Sequence, residues 1–229
     1  MNAGRVDSRI LKSDDEPFAV PIKGALSMKT FNLSMVVSTI LAASAATAAT
    51  PNLTFDSVKA GTYAVESYHT QVGFSLSHFG FTNYSGLISG ATGSLRLDPT
   101  NPAASKLDVS IPVQSIQTTV PVLTDELKGD NWFDVAKYPQ ATFTSTNVSV
   151  AGNGDVTIAG NLTLHGVTKP IVLHAHLVGA GVNPIDKAYT VGFQASGTIK
   201  RSDFGVSLYA PALGDDVELS IAGAFELKG

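Results

Sequence analysis

The chain has 229 residues, with 15 Lys and Arg against 19 Asp and Glu, and only 15% of its residues are charged against 44% hydrophobic. That length and apolar content hold the core of one ordinary domain, and the acidic balance disfavours binding driven by nucleic-acid phosphates. The chain contains no cysteine, which excludes disulfides, thiolate nucleophiles and cysteine-ligated metals.

In chain order, residues 1–27 mix charges without apolar periodicity and read as an N-terminal extension, which points to a mis-assigned start with translation expected from Met28. Residues 28–48 have a basic start at Lys29, a short apolar run from Phe31 to Ala42, and the small-residue site Ala46-Thr47-Ala48. This is the pattern of a cleaved secretory signal peptide. The competing reading is a membrane anchor, since residues 31–49 are nominally long enough to span. Their second half is Ala, Ser and Thr, however, and no stop-transfer charges follow. Cleavage leaves residues 49–229 as an exported domain, expected in the periplasm. The removed segment has one more basic than acidic side chain, so the exported part is the more acidic.

From residue 62 onward nearly everything alternates with period 2, the signature of half-buried strands. After a lead-in strand over residues 62–66, Val72, Phe74, Leu76 and His78 share one face. Leu95 and Leu97 share the next, and Leu107, Val109, Ile111 and Val113 another. Residues 121–128 break the pattern: Leu123 and Leu127 stand at helical spacing behind Pro121, a residue suited to a first helical turn. Trp132 and Phe133 follow in a polar stretch, placed either to seal a core or to form a lid. Phe143 and Val148 fall on opposite parities, which predicts a bulge near Asn147. Further faces are Val156 to Leu164, Ile171 to Leu177, Val191 to Ile199 and Val217 to Leu227. Turn chemistry such as Gly152-Asn153-Gly154-Asp155 and His165-Gly166 separates the runs, so linked strands are antiparallel neighbours. The expected fold is all-β, with eight or nine strands closing as a solid sandwich or as a barrel. Gly160, Gly197 and Gly223 on apolar faces favour the barrel, because closure needs bends.

The chemistry of catalysis is sparse. No G-x-S-x-G elbow, P-loop or H-E-x-x-H stretch occurs. The carboxylate pairs Asp125-Glu126 and Asp215-Asp216 are adjacent in sequence, so in a strand they would point apart. His174 and His176 share a strand face, but it is the outer one and a third ligand is not evident. His69 and His165 are expected outside. His78 continues an apolar face and is expected to point inward near a strand end, as a core histidine or as a polar group at a cavity mouth.

Several stretches together carry a resemblance. They are Tyr68-His69-Thr70-Gln71-Val72-Gly73-Phe74 with Ser77-His78-Phe79-Gly80, Asp130-Asn131-Trp132-Phe133-Asp134, and Lys137-Tyr138-Pro139-Gln140-Ala141-Thr142-Phe143. Gly160-Asn161-Leu162-Thr163-Leu164-His165-Gly166-Val167-Thr168-Lys169-Pro170 and Arg201-Ser202-Asp203-Phe204-Gly205 complete the set. From Thr62 to Lys228 the chain resembles the YceI-like family of bacterial exported proteins. The resemblance implies an eight-stranded antiparallel lipocalin-like barrel with a short helix and loop over one end. It also implies an apolar channel for a polyisoprenoid lipid (an isoprenoid quinone or a prenyl phosphate) and a periplasmic or secreted location.

Two departures bear on the ligand. Many members carry an Arg and a His just before the helix leucine, where this chain has Thr124-Asp125-Glu126-Leu127. That favours a neutral head group over a pyrophosphate. Several family Phe positions are smaller here, at Ile88, Ala91, Leu95 and Leu97, which allows a cavity of different shape.

The expected activity is therefore non-catalytic binding, sequestration or transport of an isoprenoid lipid, with no other cofactor and no metal. The inward residues expected to hold it are Phe74, Leu76, His78, Leu95, Leu97, Val109, Phe143, Leu162 and Phe193, with Trp132 and Phe133 at the entrance. The expected partners are the lipid and, transiently, a membrane, with no nucleic acid; a dimer is left open. The alternative is a stress-related structural or interaction barrel with a filled interior, and a weaker one is an enzyme using His78 as acid or base.

Overall fold

The computed structural model describes residues 54–151 and 154–229. The N-terminal extension and signal peptide lie outside the described residues. Ten strands appear: β1 (Gly61–Val65), β2 (Gln71–His78), β3 (Thr82–Ser89), β4 (Thr92–Leu97), β5 (Lys106–Pro112), β6 (Gln140–Val150), β7 (Asp155–Leu164), β8 (Val167–Val182), β9 (Tyr189–Lys200) and β10 (Asp216–Leu227). The helix α1 spans Pro121–Lys128, as its spacing predicts.

All pairings are antiparallel, in the order β1-β4-β5-β6-β7-β8-β9-β10-β2-β3, and β10 also pairs with β1. The ten segments are eight staves. β2 lies along β10 at residues 218–222 and β1 lies along the same edge at residues 225–227, so the two are one stave with a break. β3 and β4 form the next stave, pairing with β2 and β1 respectively. The result is a closed up-and-down barrel of eight antiparallel staves, which removes the free edges an open sheet would expose.

Local chemistry explains the breaks. Between β1 and β2 the Glu66 carboxylate accepts hydrogen bonds from the backbone N–H groups of Tyr68 (3.0 Å) and His69 (2.8 Å), and its Oε2 lies 2.7 Å from His69 Nδ1. Burial alone would raise the Glu66 pKa, but the bonds from His69 and Tyr68 hold it below the usual glutamate value. In β4, Gly93 has φ 141°, and a Cβ there would overlap the Asp108 carbonyl, so only glycine lets β4 and β5 come together at that point. The bulge expected near Asn147 is present as a register shift between Ser145 and Asn147. A second, between Leu177 and Gly179, bends β8.

The alternating chain direction sorts the connections to two ends. One end gathers the β2–β3 tip, the 113–139 connection with α1, the β7–β8 turn and the β9–β10 connection. The opposite end is plugged by Phe55 and Val58, which are 3% and 4% exposed and pack with Tyr63, Leu97 and Val191. The Tyr63 hydroxyl donates to the Lys59 carbonyl, and burial, with Tyr189 nearby, pushes its pKa up to about 12.

Candidate functional site

The inward faces of the staves meet in an apolar column along the barrel. At the plugged end one buried cluster includes Leu95, Leu97, Val148, Val156 and Phe225, with Phe193 packed against it. Nearer α1 a second cluster of Leu164, Ile199, Phe204 and Val217 gathers Phe74, Leu76, Phe133 and Leu162. A third, of Trp132, Val206 and Leu213, covers that end and shares Leu76 and Phe133 with the second. Hydrophobic clusters that share members form one contiguous core.

Between the staves near the plugged end lies a cavity of about 80 Å³, lined by Leu95, Leu97, Leu107, Ile158, Phe193, Ile221 and Phe225 among others. Ligand pockets for drug-sized molecules usually reach roughly 300–1,000 Å³. The interior is therefore largely filled by its own side chains. A larger concavity, about 1020 Å³, lies over the outward Ser75, Ser85, Ser196, Ser220 and Glu218.

Two aromatic rings fill the interior in a particular way. A Cβ on Gly160 would overlap the Phe143 ring, and one on Gly86 would overlap the Phe74 ring. These glycines let both rings lie flat against the barrel wall. On the sequence alone such glycines suggest bends; here they make room for rings. Phe193 and Phe225 meet edge-to-face with centroids 6.2 Å apart.

Polar groups inside are few and nearly all are satisfied. The buried polar side chains among the described residues are Thr70, Ser105, Ser145 and Arg201. Ser145 Oγ accepts from the Leu107 N–H at 2.8 Å, Ser105 Oγ from the Asp98 N–H at 3.0 Å, and Thr70 Oγ1 from the Ala224 N–H at 3.0 Å. Arg201 donates from Nε to the Gly214 carbonyl (2.8 Å), from Nη1 to Val206 (2.8 Å) and from Nη2 to Leu213 (2.7 Å). Its guanidinium also lies 5.8 Å from the Trp132 ring centre. Burial lowers the Arg201 pKa while Asp215 raises it. The Asp215 carboxylate itself is tied by Ser202, through N–H (2.9 Å) and Oγ (2.7 Å). The exception is Tyr84: its hydroxyl is buried with no hydrogen-bond partner among the described residues. Tyr84 shares the inward parity of Gly86 and pairs with Leu76.

The expected site residues divide accordingly. Leu95, Leu97 and Phe193 line the cavity. Phe143 is buried, with its ring over Gly160. Phe74, Leu76, Leu162 and Phe133 pack in the second cluster. Val109 is half-buried opposite Gly93 and Phe143, outside the cavity lining. Trp132 is 8% exposed, and its Nε1–H donates to Glu126 at 3.2 Å, so it seals the α1 end.

His78 differs from expectation. It is exposed, stacked edgewise on Phe79 with centroids 4.7 Å apart. Parity gave its face correctly, but His78 is the last residue of β2, at the hairpin tip beside Phe79 and Gly80 rather than in the core column. His69, His174 and His176 are exposed, and no group of three metal-ligating side chains occurs among the described residues. His165 is half-buried rather than exposed, its Nδ1 lying 3.1 Å from the Phe204 carbonyl oxygen and its ring 4.4 Å from that of Tyr138. Sequence reasoning missed the Phe55 plug, the Arg201 anchor and the Tyr84 hydroxyl. The sequence signals for Arg201 were its place at the end of an apolar strand and at the head of the Arg201–Gly205 stretch that carries the resemblance, and neither showed what it would bind.

The YceI-like domain family matches residues 63–225. A UPF0312 protein of Pectobacterium atrosepticum is 41% identical over 157 residues, covering 69% of this chain and 81% of the relative. A solved YCEI protein of Campylobacter jejuni is 32% identical with a TM-score of 0.59, covering 65% of this chain and 88% of its own. Burkholderia cenocepacia BcnA, at 23% identity and a TM-score of 0.63, shares the fold over 70% of this chain and 98% of its own. A polyisoprenoid-binding domain from Saccharophagus degradans shares it at 18% identity and a TM-score of 0.54, over 74% of this chain and all of the other.

Proposed function

The chain belongs to the YceI-like domain family, and on that premise we propose that it is a non-catalytic barrel that takes up an isoprenoid lipid with a neutral head group, in the periplasm. The observation that carries this reading is the apolar column in which, among the described residues, every buried polar side chain has a partner within the protein except the Tyr84 hydroxyl. An anionic head group entering the barrel would need an uncommitted buried cation. Arg201 is held away from that role: its Nε, Nη1 and Nη2 each donate to a backbone carbonyl, and Asp215 is its coulombic partner. A quinone carbonyl asks only for a donor, which Tyr84 supplies. The polyisoprenoid-binding neighbour supports the same ligand class by fold.

Uptake requires rearrangement. The 80 Å³ cavity is far below the roughly 300–1,000 Å³ of a ligand pocket, so a chain of several prenyl units needs interior side chains to move. Phe74 and Phe143, lying over glycines, and the Phe193–Phe225 pair are the side chains in its way. The driving force need not be large. A prenyl unit gains roughly 4 kcal/mol on leaving water, at about 0.8 kcal/mol per CH₂, but in a membrane it is already solvated. Transfer from bilayer to barrel is then nearly balanced, which suits a carrier or scavenger.

The test uses the protein's single tryptophan. Titration with a short-chain isoprenoid quinone should quench Trp132 fluorescence and saturate at one equivalent, whereas a prenyl pyrophosphate of equal length should compete about tenfold less well or worse. Quenching that rises linearly without saturation would refute the proposal. The filled interior supports a second reading, a structural or interaction barrel with no dedicated ligand. Under it neither compound binds.

A further inference from the structure

We propose that the α1 end of the barrel is a membrane-docking rim that inserts the Phe79–Phe81 hairpin tip into a bilayer of zwitterionic phospholipid. Phe81 is 86% exposed and Phe79 44%. The tip is built to stand out: Phe79 has φ 53° and Gly80 φ 72°, the Gly80 N–H donates to Ser77 Oγ, and the Phe81 N–H closes the turn on the His78 carbonyl at 3.0 Å. Leu87 and Gln117 exchange two backbone hydrogen bonds, at 2.8 and 2.9 Å, in an antiparallel bridge. That bridge directs the chain after Gln117 toward the tip end of β3. There Val122 is 69% exposed and Val120 and Leu123 are also exposed. Tyr209, 59% exposed, comes to the same end from the β9–β10 connection.

The charge pattern selects the partner. No Asp, Glu, Lys or Arg occurs in residues 67–95 or 109–124, the two segments that carry the tip and the start of α1. The charges that flank this end are of both signs and several are engaged: Lys200 with Asp216 at 2.7 Å, Asp215 with Ser202, and Glu126 with Trp132. Such a surface offers no steering toward anionic lipids and puts no Asp, Glu, Lys or Arg at the tip to be desolvated, which fits a membrane without net charge. Shape argues against a protein partner. Two phenylalanines on a protruding turn bury roughly 300–500 Å² at most, well under the approximately 800 Å² per partner of a stable protein interface. A narrow apolar wedge suits a medium that deforms around it. Tyr209 of the rim lies against the covering cluster, its ring 6.5 Å from that of Trp132. The proposal does not depend on the interior holding a lipid.

The test is co-sedimentation of the protein with sucrose-loaded phosphatidylcholine vesicles. The wild type should sediment with them. Phe81→Ser, at a ring too exposed to affect folding, should lower the partition coefficient roughly tenfold, and Phe79→Ser with Phe81→Ser should abolish binding while the melting temperature holds. Ile185→Ser, at an 89% exposed residue of the opposite end, should change nothing. A wild type that stays in the supernatant would overturn the proposal, as would Phe81→Ser binding unchanged or Ile185→Ser losing as much. So would binding confined to phosphatidylglycerol-containing vesicles, or a wild-type dimer in sedimentation equilibrium that Phe81→Ser makes monomeric. Vesicle binding by a protein that takes up no quinone would leave the rim standing and remove the cargo.

Discussion

Arg201 holds three carbonyls of one returning segment, so its role is to anchor that segment and not to meet a ligand. Replacing it with Met strands the Gly214, Val206 and Leu213 carbonyls. The expected cost is about 3 kcal/mol or more, read as a lowered melting temperature with early proteolysis within residues 206–214. Arg201→Lys should rescue little, because one ammonium cannot reproduce the planar fork. Tyr84 is the opposite case. Its hydroxyl is buried without a partner, so Tyr84→Phe should leave the ligand-free protein as stable or slightly more stable. The same change should weaken quinone uptake, which distinguishes a ligand contact from a structural one. Glu66 and Asp215 set the acid limit. In each, burial would raise the pKa, but hydrogen bonds, from His69 and Tyr68 or from Ser202, hold it low. A depressed carboxylate stabilises the fold above its unfolded pKa, about 4, and that contribution disappears as pH falls through the lower folded value. Melting temperature should therefore be flat in pH near neutrality and decline below about pH 4, and Glu66→Gln with Asp215→Asn should flatten that decline.

At the scale of the element, alternation made most of the strands legible, and the helix over 121–128 followed from Pro121 and the Leu123–Leu127 spacing. Even the Asn147 bulge showed as a parity change. The interruptions of the first two staves were not legible. The turn at residues 66–70 depends on Glu66 and on Thr70 reaching Ala224, a contact between opposite ends of the domain sequence. The glycines were visible, but their use was not: Gly160 matters because Phe143 on the neighbouring strand lies across it. Gly160→Ala should force that ring into the interior and cost about 1–3 kcal/mol, lowering the melting temperature by roughly 3–10 °C. A compensating Phe143→Leu in the same protein should recover much of the loss.

For the whole molecule, the choice between sandwich and barrel rested on closure, and closure is a non-local fact: β1 and β10, at the two ends of the domain sequence, must pair. Family resemblance anticipated it where composition could not. The site was half legible for a related reason. Parity assigned Phe74, Leu95, Phe143, Leu162 and Phe193 to the interior, but it carries no information on how far along the barrel a residue sits. That is why His78, on the right face, ends at the exposed tip. Nor does parity report volume, and the interior is fuller than an apolar face suggests. The central claim is that this filled column opens around an isoprenoid lipid. Mass spectrometry of an organic extract of the protein, purified without detergent from the cells that make it, tests it most directly. The account predicts one neutral isoprenoid per barrel, depleted in Tyr84→Phe; an extract with no stoichiometric lipid from a correctly folded protein would contradict it.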